Sequence, residues 1–281
     1  MQRWLVIAMD YPIDAAKKNY ESLYEDFESP LMRELRREAY GEDIGQHSWV
    51  TAADLRSDTA RLGIPVGGQL LDLGCGPCGP LTFVMMSVDC YGIGFDVSTA
   101  ALAAGLVRAQ SLGVDARIKL QEADLDGRIP LTSNSVDAAM SFDVVLHLRD
   151  RLHAFREVAR VLKHGARLLF TDAGIITGSI SNEDVTARCM HGFSQFCAPG
   201  FNERMLEHAG LVLLETENRT AALIENATGR LTARLKHQAE LERIEETAGF
   251  TRYQEYLQSV ISMSARGALS RMMYLAQRRV D

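Results

Sequence analysis

The sequence predicts an α/β protein: a doubly wound, mostly parallel sheet of seven strands, with helices on both faces. Three observations carry this. Apolar runs of strand length alternate with helical stretches between residues 65 and 175, and parallel strands need such crossovers. The turn after the first run reads Gly74-Cys75-Gly76-Pro77-Cys78-Gly79, and its glycines let the main chain approach a ligand closely. Asp96 then ends the second run, twenty residues after Gly76, where an acid accepts hydrogen bonds from two ribose hydroxyls.

The elements follow in order. Residues 10–62 read as helices joined by a glycine-containing loop, so 1–64 form a helical N-terminal lid. Gly63-Ile64-Pro65-Val66-Gly67-Gly68 breaks the pattern and marks a boundary. The core, 65–175, has strands at 69–73, 90–95, 117–122, 136–142 and 166–171. Between them lie helices at 79–87, 98–111 and 151–162, and Ser98 caps the second of these. From Gly174 to about Gly200 strand character is lost, as in a cap segment. A short helix at 202–209 precedes strands at 211–219 and 268–276, which flank a helical insertion. Residues 176–281 therefore complete the same domain. Within the insertion, Arg230, Arg234 and Glu240 to Glu246 read as a solvated helix face with i,i+4 pairs.

Composition narrows the function. The net charge is −7 and no basic cluster exceeds Arg36-Arg37 or Arg278-Arg279, which disfavours a nucleic-acid partner. No uncharged apolar stretch reaches the roughly 18–20 residues of a membrane span. Trp4 to Met9 is too short for a signal-peptide core. Five cysteines, an odd count in no framework, suggest a reducing, cytoplasmic setting. Cys75-x-x-Cys78 has no second ligand pair, so no metal is expected; two small residues packed in the turn fit better than a redox pair. Asp143 and Asp172 are the acids that an ion would share if one were bound.

Two nucleoside ligands compete for the glycine turn. The run formally fits the dinucleotide pattern G-x-G-x-x-G, which leaves a nicotinamide-dependent oxidoreductase open. Asp72, however, repels a pyrophosphate, and Pro77 lacks a backbone donor that a phosphate would use. A ligand with a cationic end suits Asp72 better.

Leu71-Asp72-Leu73-Gly74-Cys75-Gly76 resembles the first motif of the class I S-adenosylmethionine-dependent methyltransferases, a Rossmann-like family. The resemblance covers roughly residues 65–175. It implies that Gly74, Cys75 and Gly76 hold the methionine moiety, with S-adenosylhomocysteine as product. Gly92 to Ser98 is similar to the second motif, which gives Asp96 the ribose and Val97 the adenine face. Glu122-Ala123-Asp124-Leu125 looks like the third, with Asp124 accepting from the adenine amino group and a neighbouring amide donating to the ring. Ser135 to Leu148 resembles the fourth strand and its loop, placing Phe142 beside the cofactor. In the stretch Arg160 to Ala166, His164 and Ala166 replace the proline and second glycine common in the family.

Subclass and chemistry rest on fewer residues. Ser141-Phe142-Asp143-Val144 lacks the Asn/Asp-Pro-Pro-aromatic run of base and glutamine methyltransferases, which points to a small-molecule acceptor. Tyr40 to Ser48 resembles a block of glycine, sarcosine and phosphoethanolamine N-methyltransferases and of cyclopropane-synthase relatives. That likeness implies that Gln46 lies near the cofactor and that the acceptor is an amine nitrogen. Oxygen or carbon of a natural-product intermediate is the alternative, as is a sensor or partner subunit that binds the cofactor without transferring a methyl. His147 is the candidate base, since its unperturbed pKa of about 6.5 suits proton transfer. Asp143 is the candidate to orient an acceptor ammonium. Tyr20, Tyr24 and Tyr40 suit an aromatic lid over a cation, and His191 and Phe193 a substrate cap. A homodimer surface is expected on 220–265.

Overall fold

The computed structural model describes residues 6–9, 21–190 and 192–280. Its strands are β1 (Val6–Met9), β2 (Gln69–Leu73), β3 (Tyr91–Asp96), β4 (Ile118–Glu122), β5 (Val136–Phe142), β6 (Leu162–Ile176), β7 (Ser194–Cys197), β8 (Leu211–Asn218) and β9 (Leu269–Arg278). The seven strands expected from sequence lie in the order β4-β3-β2-β5-β6-β9-β8. From β4 to β6 all neighbours are parallel, and β9 runs antiparallel to both β6 and β8. The chain leaves β2 towards β3 and β4, then returns to β5 on the other side of β2. A reversal of this kind opens a crevice at the carboxyl ends of the strands.

The helices are α1 (Pro30–Tyr40), α2 (Ala52–Leu62), α3 (Gly79–Ser87), α4 (Thr99–Ser111), α5 (Arg151–Val161), α6 (Asn182–Arg188), α7 (Phe201–His208), α8 (Thr220–Lys236) and α9 (Gln238–Ala265). Both faces of the sheet are covered, so its central strands are apolar without alternation. Successive residues nonetheless point to opposite faces. Leu70, Met140 and Leu169 pack on Leu81 and Met85 of α3. Leu71, Ala139 and Phe170 pack on Phe155 and Val158 of α5. The expected cap on α4 is present: Ala101 N donates to Ser98 Oγ at 3.1 Å.

Two strands were not expected: β1, within the segment read as a helical lid, and β7, in the stretch read as having lost strand character, into which β6 also runs as far as Ile176. β7 pairs with β1 antiparallel, Val6 opposite Cys197, and touches β6 at Ile175 beyond a bulge that starts at Asp172. Four-residue strands whose partner is distant in sequence show too little alternation to be read locally.

The insertion also differs from expectation. α9 is interrupted at Glu246, where φ is +59°, and its second half packs along α8. Leu223 and Ala227 of α8 meet Tyr253, Leu257 and Val260 of α9. Leu35 of α1 joins Ala233, Leu241 and Phe250. Of the face read as solvated, Arg230 is half-covered and Arg234 covered, whereas Glu240 and Glu246 are exposed as expected. Arg234 is buried, bonded to Glu245 and set 4.1 Å from the Tyr253 ring centroid. Charge on a helix does not disclose which face receives a neighbour. Among the described residues, no helix is long and apolar enough to cross a membrane.

Candidate active site

The crevice at the switch point is a cavity of about 420 Å3, a usual size for a small-molecule site. One half is built on the ends of β2, β3 and β4. Gly74 turns the chain out of β2 with φ +71°, and a Cβ there would stand 2.4 Å from Val144 Cγ2. Both Gly74 N and Cys75 N donate to Phe95 O, at 2.8 and 3.0 Å, which ties the turn to β3. A Cβ on Gly79 would lie 2.2 Å from Gly45 O, so only glycine lets the loop at 41–48 rest on the start of α3.

Asp96 ties the turn to α4. Gly76 N donates to its Oδ2 at 2.8 Å and Ser98 N to its Oδ1 at 2.9 Å. Burial raises its pKa, and the hydrogen bonds from the Ser98, Gly76 and Val97 amides oppose that rise. Asp72 is 2% exposed. Burial, and then the charge of Asp96, pushes its carboxyl well above the usual range. A cation arriving between these acids would favour their ionised forms. Val97, Ala123, Asp124, Leu125 and Phe142 line the same half, with Glu122 and Asp126 beside them. Asp124 Oδ1 accepts from Asp126 N at 2.9 Å. Cys75 and Cys78 are buried with their sulfurs 3.6 Å apart, and burial pushes the Cys75 thiol well up. Both pack into the apolar core beneath the turn.

The other half is built on the loop after β5 and on segments far from it in sequence. Asp143 has φ +61°. Its carboxylate accepts from Arg271 Nε at 2.8 Å, Trp49 N at 2.9 Å and Thr171 Oγ1 at 3.0 Å. Arg271 is fully buried. Asp172, the other acid that an ion would share if one were bound, is held by Arg151 at 2.6 Å. Each acid thus has its own arginine.

His147 follows one turn later. Its Nδ1 stands 2.8 Å from Phe193 O. A carbonyl only accepts, so the neutral ring carries its proton on Nδ1 and its lone pair on Nε2. Burial lowers its pKa, opposed by that hydrogen bond, which keeps the ring neutral at pH 7. Phe193 itself lines the cavity beneath Arg149, whose guanidinium carbon is 4.5 Å from the ring centroid.

Of the aromatic lid, Tyr24 reaches the site. Its hydroxyl is 3.2 Å from His47 Nδ1 and lies over Gly76. Tyr40 instead donates to Ser48 O at 2.9 Å and does not line the cavity. Gln46 is also turned inward: it accepts from Ile44 N at 3.0 Å and donates to Glu42 O at 3.1 Å. Both hold the loop that presents His47, Ser48 and Trp49 to the cavity. Tyr20 and His191 lie outside the described residues.

Trp49, Arg149, Arg230 and Tyr256 line the cavity without having been singled out for it. Trp49 had a local signal, since it directly follows the Tyr40–Ser48 block. Arg230 had none, because its place depends on α8 crossing α1 at Gly229. A Cβ there would lie 2.3 Å from Ala39 O.

Residues 71–170 match the family model of the methyltransferase domain. The chain is 30% identical over 161 residues to methyltransferase GfsG of Streptomyces halstedii, covering 55% of this chain and 56% of that protein. It spans about half, or less, of the length of the curated relatives it matches. In structure it resembles cyclopropane synthase MmaA2 of Mycobacterium tuberculosis, with a TM-score of 0.81 at 15% identity, covering 95% of this chain and 99% of that one. It also resembles a Haemonchus contortus phosphoethanolamine N-methyltransferase in complex with phosphomonomethylethanolamine and S-adenosylhomocysteine. There the TM-score is 0.78 at 19% identity, over 93% of this chain and 60% of that one.

Proposed function

We propose that this chain, a methyltransferase-domain protein over residues 71–170, moves a methyl group from S-adenosylmethionine to a small-molecule acceptor. One observation carries the reading. A half-cavity of glycine turn and buried acids opens directly onto a second half that ends at His147 and Trp49. The first half fits the cofactor: Asp96 faces the ribose, Asp72 the cationic end, and Val97 and Leu125 flank the adenine. The methyl-transfer neighbours add weight to that assignment.

When bound, S-adenosylmethionine supplies an electrophilic methyl carbon. The chain supplies position, dryness and a proton route. Holding an acceptor in line with that carbon removes up to about 7–11 kcal/mol of barrier. His147 Nε2 takes the proton that an amine, hydroxyl or activated carbon must lose, worth roughly 10²–10⁴-fold. Asp143 is a positioning residue. Its charge is matched by Arg271 and its oxygens hold the Trp49 amide, which makes it a weak partner for an acceptor ammonium. The nitrogen acceptor rests on the Tyr40–Ser48 likeness alone, and oxygen and carbon acceptors meet the same geometry.

The test uses methyl-labelled S-adenosylmethionine, a cell metabolite extract and the purified protein, with Asp96→Ala as control. Label in a small product, absent from the control, supports transfer, and the product identifies the acceptor atom. Tight cofactor binding without transfer favours a sensor. No cofactor binding overturns the reading.

A further inference from the structure

We propose that the acceptor carries an anionic oxyacid group, a carboxylate or a phosphate, and that Arg230 binds it. This rests on the methyl-transfer reading, which gives the second half of the cavity to the acceptor.

Arg230 projects from α8 to the cavity wall beside Trp49, and Tyr256 and His147 line the same cavity. Its Nη1 donates to His47 O at 3.2 Å and its Nη2 to the Tyr253 hydroxyl. Its guanidinium carbon stands 4.8 Å from the Trp49 ring centroid. Every one of these partners is neutral. Among the described residues, no carboxylate lies within 4.0 Å of Arg230. Other inward arginines differ: Arg271 meets Asp143 at 2.8 Å, Arg151 meets Asp172 at 2.6 Å and Arg219 meets Asp58 at 2.6 Å. Arg230 is half-buried at the cavity wall, and a guanidinium partly withdrawn from water is stabilised by an anion. It stays charged under all ordinary conditions and offers five donors in a planar fork suited to carboxylate or phosphate.

The surroundings strengthen the argument. Arg188, buried behind Tyr256, donates to its hydroxyl at 2.8 Å and also has no carboxylate within 4.0 Å among the described residues. Of the described acids lining the cavity, Asp72, Asp96, Glu122, Asp124 and Asp126 belong to the half assigned to the nucleoside, and Asp143 to the other. Asp143, the acid nearest the acceptor, is neutralised by Arg271. The acceptor half is therefore electropositive. It repels a bare alkylammonium and attracts an anion. An acceptor tethered through its anionic group at Arg230 would lie along the Trp49 ring in the cavity that His147 also lines.

Calorimetry separates the two readings. S-adenosylhomocysteine is titrated first, and absence of binding to the wild type overturns the methyl-transfer reading by itself. The saturated complex is then titrated with benzoate, phenyl phosphate, benzamide and benzylamine, which share an aromatic ring and differ in charge. We expect one or both anions to bind at least about tenfold more tightly than benzamide, with benzylamine weakest. Their ranking distinguishes carboxylate from phosphate. Arg230→Gln should lose about tenfold or more of anion affinity while S-adenosylhomocysteine and benzamide bind as before, and Arg230→Lys should retain part of it. The proposal is overturned if neither anion binds, if benzamide or benzylamine binds as well as the anions, or if Arg230→Gln binds both anions undiminished. Should Arg230→Gln fail to fold, the wild-type ranking still decides.

Discussion

The proton route proposed here depends on one backbone carbonyl. Phe193 O fixes the Nδ1 proton of His147, so a substitution that keeps a donor but removes the base isolates the chemistry. His147→Gln should slow labelled methyl transfer by roughly 10²–10⁴-fold while S-adenosylhomocysteine affinity stays within a few-fold. Burial lowers the pKa of His147, so the basic form persists to a lower pH than in a free histidine. The acid limb of the rate profile should therefore fall below about pH 6.5. A limb above that value, or none, would remove His147 from the role. The same shift has a consequence for stability. Between the folded and unfolded pKa values the unfolded chain binds more protons, so His147's contribution is present above about pH 6.5 and is lost as pH falls through the folded value. At this scale the sequence was only partly legible. His147 and Asp143 stood out by type and place. Arg271, which neutralises Asp143, sits in a strand far along the chain and gave no local sign.

Among the elements, the glycine turn was the most legible, because its constraint is local. Gly74 has a conformation that side chains resist, and it also has Val144 against it. Gly74→Ala should cost about 1–2 kcal/mol for the backbone alone, with a further loss from the contact. A falling thermal midpoint and weaker S-adenosylhomocysteine binding would report it. Adding Val144→Ala should recover only part, since it relieves the contact and leaves φ unchanged. Full recovery would assign the whole effect to the contact. The strands of the core were legible for a similar reason: a strand covered on both faces is a continuous apolar run. β7 was not, because its hydrogen bonds come from β1. Nor was the covered face of α8, because only α9 folding back at Glu246 decides it.

At the scale of the whole molecule, the ion pair between Arg271 and Asp143 ties distant parts together. Arg271 in β9 reaches Asp143 in the loop after β5, and Asp143 holds the Trp49 amide from the N-terminal segment. Trp49 O in turn accepts from Asn226 Nδ2 of α8 at 2.6 Å. Removing one partner of a buried pair leaves an uncompensated charge, so Arg271→Met should destabilise the fold by about 3–5 kcal/mol in urea denaturation. A loss under about 1 kcal/mol would show that the Trp49 amide and Thr171 satisfy Asp143 alone. The sequence by itself determined the doubly wound sheet and the glycine-turn half of the cavity. Both are written in short-range patterns: apolar runs, a glycine turn, and an acid at the end of the next strand. Only the tertiary structure decided the other half, which draws on the segments around residues 47–49, 142–149, 193, 230 and 256. Those segments meet because packing of α8 and α9 on α1 and the sheet brings them together, and no spacing along the chain encodes which of their side chains will share a wall.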